Sequence, residues 1–146
     1  MEHTAIGHDN ADFAAETDSA RRFAGVARLY GASALAAFRQ SHVTIVGIGG
    51  VGSWAVEALA RSAVGKLTLI DLDMIAESNV NRQVHALDGE FGRAKVSAMA
   101  QRIGLINPAC EVREIEDFIT PENVAQLLCA SCDYVIDATD QVRTKA

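Results

Sequence analysis

Between residues 19 and 40, apolar side chains recur at steps of three and four: Phe23, Val26, Ala27, Tyr30, Ala34, Leu35 and Phe38. That period predicts helix, and Gly25 and Gly31 predict two short helices in place of one. His42–Val46 is a compact β-branched run ending at Gly47, the pattern of a strand buried on both faces. Residues 53–62, rich in Ala and Leu, predict a helix. Lys66–Ile70 predicts a second strand closed by Asp71. Residues 92–106 predict a helix stopped by Asn107 and Pro108, and the alternating Glu111–Ile115 predicts a third strand. Thr120, Pro121, Glu122 and Asn123 predict a helix start with Thr120 as the cap. Residues 133–137 predict a fourth strand. Strands and helices alternating after a helical preface define an α/β protein with a doubly wound parallel sheet, helices on both faces. Residues 140–146 resemble the first turns of a further helix. Such sheets usually continue past four strands, so the expectation is a chain truncated at its C-terminus.

Composition narrows this picture. The 146 residues are 49% apolar and carry 13 Lys and Arg against 19 Asp and Glu, a net charge of −6. This suits one soluble domain with a sizeable core. No run of apolar residues is long enough to span a membrane, and the N-terminus lacks the basic-then-apolar pattern of a secretory leader. Residues 1–20 hold five acids (Glu2, Asp9, Asp12, Glu16, Asp18) and no Lys or Arg, which predicts a disordered acidic tail ahead of a domain over 21–146. Without a broad basic surface, a nucleic-acid partner would need a local patch, a partner subunit or a further part of the protein. Three cysteines, at 110, 129 and 132, make no disulfide framework, so a reducing cytoplasm is expected.

The strongest motif is Gly47-x-Gly49-Gly50-x-Gly52, placed between a strand and a helix. Missing side chains there let phosphates approach backbone N–H groups at a helix start. Asp71 ends the next strand, 24 residues beyond Gly47, where a carboxylate can accept ribose hydroxyls. A Rossmann-like fold follows, with NAD, FAD or ATP as ligand. The next segment separates them. Asp73, Asn79, Asn81, Arg82 and Gln83, then Lys95, form a polar set that a dinucleotide does not need. A reacting triphosphate does, because its negative charge has to be neutralised. Asn79 and Asn81 can orient either the loop or the triphosphate. Asp137 and Asp140 close the fourth strand, and a carboxylate at a strand tip suits Mg²⁺ shared with phosphates. Each residue alone has an ordinary alternative: a glycine packing turn, a solvated Arg or Lys, a helix cap for Asp140.

Taken together, these motifs resemble the adenylation domain of the ubiquitin-activating-like family, whose bacterial members include the activating enzymes of molybdopterin and thiamine biosynthesis. The resemblance implies ATP and Mg²⁺ binding, attack of a carboxylate on the α-phosphate, pyrophosphate release and a homodimer. It places phosphates on Gly47, Gly49, Gly50 and Gly52 and ribose on Asp71. Asp73, Asn79, Asn81, Arg82, Gln83 and Lys95 would bind the nucleotide, Arg82, Lys95 and Asp140 would be catalytic, and Asp140 would hold the metal. Further segments resemble a tRNA-modifying branch: Arg22, Phe23, Gly25 and Arg28 to Gly31, then Asn81 to Leu87, then Asp117, Phe118 and Thr120 to Asn123, and finally Asp137 to Asp140, Val142, Arg143 and Lys145. In that branch ATP activates the carboxylate of a threonylcarbamoyl group on a tRNA adenosine, which closes into a ring with net loss of water. Carrier-activating branches, which work with a ubiquitin-like sulfur carrier or sulfur donor, have Arg where this chain has Gly25 and Asn where it has Gln141. An NAD-binding domain and a noncatalytic nucleotide-binding dimerisation module are the alternatives of other classes. Arg22 or Arg28 could supply the charge that Gly25 lacks.

Other signals weigh less. Cys129 and Cys132 have metal or redox spacing without a second pair. Cys110 reads as core packing. For His85 a structural role outweighs a ligand contact, and for Trp54 packing outweighs an adenine contact.

Overall fold

A computed structural model describes residues 7–128 and 130–140. Four parallel strands, β1 (His42–Val46), β2 (Lys66–Ile70), β3 (Glu111–Ile115) and β4 (Tyr134–Asp137), form one sheet in the order β3-β2-β1-β4. Thr44 faces Thr68 on β2 and Val135 on β4, which fixes the register across the centre. The chain moves outward from β1 to β2 to β3 and then returns to the far side of β1. The β1–β4 edge is therefore the switch point where loops diverge at the carboxyl ends of the strands, and ligands of such sheets bind there.

The burial pattern explains the sheet. β1 is buried at every residue and β2 at four of five, as expected for central strands made of β-branched and leucine side chains. Helices α4 (Gly52–Arg61) and α5 (Lys95–Ile106) bury Val56 and Ala60, and Val96, Met99 and Ile103, on a common core with Val43, Ile45, Leu67 and Leu69. These spacings of three, four and seven put one stripe of each helix on the sheet. Each fully buried large aliphatic contributes about 1.5–3 kcal/mol. Gly65 is required by contact: a Cβ there would lie 1.8 Å from the Arg39 carbonyl oxygen.

The helical preface comprises α1 (Gly7–Arg22), α2 (Ala24–Tyr30) and α3 (Ala32–Gln40), anchored by Phe23 and Leu35 on Ala63. Residues 7–20 are thus helical where the sequence predicts a mobile tail. α1 is tied near its end, where Arg22 Nη1 donates to the carbonyls of Leu105 and Ile106 (3.3 Å each) and Ser19 Oγ accepts from Arg39. The preface breaks at Phe23 and at Gly31, whose φ of +92° suits glycine, and Gly25 stays helical.

α5 begins at Lys95, not at 92, because residues 92–94 pair with residues 74–75. Gly92 N donates to Ile75 O, Ile75 N to Arg93 O, and Met74 bridges Ala94. The last helix, α6, is only Val124–Leu127, capped by Asn123 and not by Thr120. Asn123 Oδ1 accepts from Thr120 N at 2.8 Å and Thr120 O accepts from Asn123 N, so 120–123 closes as a turn. Glu2, His3, Cys129, Gln141, Val142, Arg143 and Lys145 lie outside the described residues. Among the described residues no helix is long and apolar enough to cross a membrane.

One charged group joins α4 to α5. The buried Glu57 carboxylate accepts from Arg102 Nε (2.6 Å) and Nη2 (2.9 Å) and from Arg61 Nε (2.9 Å). Hydrogen bonding from Arg102, opposed by burial and reinforced by Arg61, holds its pKa below the usual 4.5. A lowered carboxylate pKa stabilises the fold above the unfolded value and ceases to do so as pH falls through the folded value. In urea titrations the stability gap between the protein and Glu57→Gln is expected to be constant above about pH 5 and to narrow below 4.5. A gap that stays constant down to pH 3 would contradict this.

Candidate nucleotide site at the strand tips

The glycine turn after β1 is built by close approach. Gly47 has φ +86°, and a Cβ there would meet Ala138 O at 3.0 Å and Thr139 N at 3.2 Å. A Cβ on Gly52 would lie 1.7 Å from Gly47 O, so α4 can start here only without one. No side chain caps α4 at Val51, and of the first helical N–H groups Ser53 N donates to Gly49 O at 3.0 Å within the turn itself.

The second polar loop lies on this turn. The Arg82 stem covers Gly50, where a Cβ would touch Arg82 Cγ and Cδ at 3.3 Å. Trp54 Nε1 donates to Arg82 O (2.9 Å), and Ser53 Oγ accepts from Val84 N (3.3 Å). His85 Nε2 lies 2.8 Å from Ile48 O. A carbonyl only accepts, so Nε2 carries the proton, and buried Nδ1 has no partner among the described residues. Burial is the main cause that lowers the His85 pKa, keeping the ring neutral. Buried Gln83 approaches Gly49, its Nε2 3.7 Å from where a Cβ would be. Arg82 itself is aimed by Asn81 Oδ1 (2.9 Å) and Ser78 O (3.1 Å), both on Nη1.

Two carboxylates and a buried cation complete the rim. Asp71 accepts from Ile48 N through Oδ2 (2.6 Å) and from Asp73 N through Oδ1 (2.7 Å), so it braces the glycine turn. Each oxygen keeps a second lone pair for a ribose hydroxyl. Lys95 is the first residue of α5, and its side chain is only 7% exposed. Nζ donates to Asp73 Oδ2 at 3.1 Å. An ammonium at the positive end of a helix opposes the helix dipole, and burying it adds a desolvation cost. A largely exposed aspartate offsets only part of that cost.

The glycines, Asp71, Asp73, Arg82, Gln83 and Lys95 therefore share one edge. Asn79 belongs to the loop: it is buried, and its Oδ1 accepts from Ala76 N at 2.9 Å, the loop-orienting alternative. Asn81 orients Arg82. Asp137 pairs with Val46, and its Oδ1 accepts from Thr139 N and Oγ1. Asp140 follows, exposed, just past the 138–139 backbone that lies on Gly47. Among the described residues no three His, Cys, Asp or Glu converge as a metal cage. Mg²⁺ usually keeps its waters and takes one or two carboxylates plus phosphates, so a single carboxylate at this tip fits it. Ser53 was not legible as a site residue, and neither were the specific bonds of Trp54 and His85. Cys110 is inert packing, its thiol pushed up to about 11 mainly by burial.

This fold and rim define a Rossmann-like α/β domain with a glycine turn at its switch point. Residues 21–146 match the ThiF family, and the chain belongs to it. It is 56% identical over 126 residues to the tRNA threonylcarbamoyladenosine dehydratase of Escherichia coli K12, covering 86% of this chain and 47% of that protein. The crystal structure of the E. coli tRNA N6-threonylcarbamoyladenosine dehydratase in complex with ATP superposes with a TM-score of 0.85 at 55% identity, covering 86% of this chain and 52% of that one. The molybdopterin-synthase adenylyltransferase of the same organism is 36% identical over 109 residues, 75% of this chain and 43% of that protein. The chain thus spans about half the length of the curated relatives it matches.

Proposed function

We propose that the complete protein uses ATP to adenylate the threonylcarbamoyladenosine carboxylate in tRNA and so to dehydrate it. The supporting observation is the Arg82 stem lying on Gly50, with buried Lys95 joined to the same turn through Asp73 and Asp71, two cationic groups that a hydride carrier does not require. Residues 21–146 act as the adenylation domain. The glycine turn receives phosphates, Asp71 the ribose, and Arg82 and Lys95 the triphosphate oxygens. Asp140 would hold Mg²⁺, which supplies positive charge to the phosphates.

The nucleophile is an ionised carboxylate, so no strong base is needed. Its oxygen bonds to the α-phosphorus as the bond to the bridging oxygen breaks and pyrophosphate leaves. The protein's task is to offset repulsion between two anions and to align them. Ring closure by the substrate's own nucleophile then expels AMP, and the nucleoside has lost one water. A homodimer in the cytoplasm accords with this role. Activation of a small carrier protein's C-terminus is the weaker reading, since the carrier-activating relative is 36% identical against 56% and this chain has Gly25 at the arginine position.

The test is incubation of the complete protein with ATP and tRNA bearing threonylcarbamoyladenosine, followed by mass spectrometry of the nucleosides. Loss of one water with formation of AMP and pyrophosphate is expected. ATP binding without any change in the tRNA would overturn the assignment.

A further inference from the structure

At the opposite end of the sheet, a cavity of about 450 Å³ opens between the last turns of α4 and α5 and the α1–α2 junction. Arg22, Arg61 and Arg102 line it with Phe23, Leu105 and Ile106. The three guanidiniums face two carboxylates, Glu57 and Asp18, and so carry an excess of positive charge. Their hydrogen bonds occupy only some donors: Nε of all three, Nη1 of Arg22 and Nη2 of Arg102. Nη1 and Nη2 of Arg61, Nη2 of Arg22 and Nη1 of Arg102 have no partner among the described residues. Paired guanidinium N–H groups match two oxygens of one phosphate. Leu105, 76% exposed, adds an apolar rim beside that seat.

We infer that this cavity seats a backbone phosphate of the RNA substrate, so that tRNA is gripped on the α4–α5 side as well as at the strand tips. The inference rests on the tRNA-modifying reading above. It bears on a difficulty in the sequence: a chain of net charge −6 needs a local basic patch, a partner subunit or a further part of the protein to hold RNA, and this cavity offers the first. The reach is feasible. α5 runs 12 residues from Lys95 at the reacting edge to Ile106 at the cavity, about 18 Å. One RNA can therefore present its reacting adenosine to one end of α5 and a phosphate to the other.

The experiment uses the complete protein with Arg61→Gln and Arg61→Glu, since Glu57 keeps both its bonds to Arg102 in either variant. KM for tRNA is expected to rise about threefold in the first and about tenfold in the second. The slope of log affinity against log salt should fall by about one. ATP–pyrophosphate exchange and KM for ATP should stay at the parent values, a split that general unfolding would not give. Parent-like tRNA KM and salt slope in both variants overturn the inference while leaving the function intact. So does a cavity that takes up inorganic phosphate without affecting tRNA affinity. A parent protein that neither binds nor dehydrates tRNA sinks both.

Discussion

Lys95→Ala is expected to lower ATP–pyrophosphate exchange by about 100- to 1000-fold while leaving the fold intact. The size follows from where the charge sits. The Lys95 side chain is only 7% exposed, and Nζ pairs with the exposed Asp73 at 3.1 Å. In such a place a cation interacts with developing phosphate charge far more strongly than in solvent. The stem of Lys95 packs at the start of α5 and not in its centre, and Asp73 becomes an ordinary surface carboxylate once the cation is gone. Urea midpoints should therefore move little. The loss should fall on kcat and kcat/KM together, the mark of a contact strengthened in the transition state. Exchange at the parent rate in a folded Lys95→Ala protein would remove the triphosphate reading of this edge.

Gly52→Ala should have the largest effect on folding, about 4 kcal/mol or more, or no soluble protein at all. The added methyl would sit 1.7 Å from Gly47 O, a backbone atom that cannot rotate aside. Relief requires opening the turn, and Gly47 is itself packed against Ala138 and Thr139. The damage would spread to the β1–β4 edge. Gly50→Ala is the contrast: its methyl meets the flexible Arg82 stem at 3.3 Å, so stability should fall by under about 1 kcal/mol while Arg82 is displaced. Equal urea midpoints for the two variants would refute the steric account.

Periodicity and punctuation carried most of the fold. The first three strands fall where β-branched or alternating runs meet Gly or Asp, and their bounds agree with the structure. Alternation also led to a parallel sheet, whereas the strand order with its switch beside β1 has no signature in the sequence and came from the structure. The start of α5 was not legible, because residues 92–94 are drawn out of the helix by pairing with 74–75, a contact with no local signature. Nor was α1: it has no apolar stripe, so the sequence offered nothing to pack, and its described ties are polar ones near its C-terminal end. At the site, motif spacing pointed to the glycines and Asp71, and the polar set with the family resemblance pointed to Arg82 and Lys95; the structure brings these residues to one edge. The bonds of Trp54, Ser53 and His85 join residues 28, 31 and 37 positions apart, and no one-dimensional pattern encodes them.

Those three bonds have a kinetic consequence. They fasten the arginine-bearing segment to the glycine turn and the start of α4, so the surface proposed to meet phosphates is held by bonds within the chain and resembles a template more than a flap. Capture then forfeits little chain freedom, and its speed is set by diffusion and charge attraction, not by the ordering of a loop.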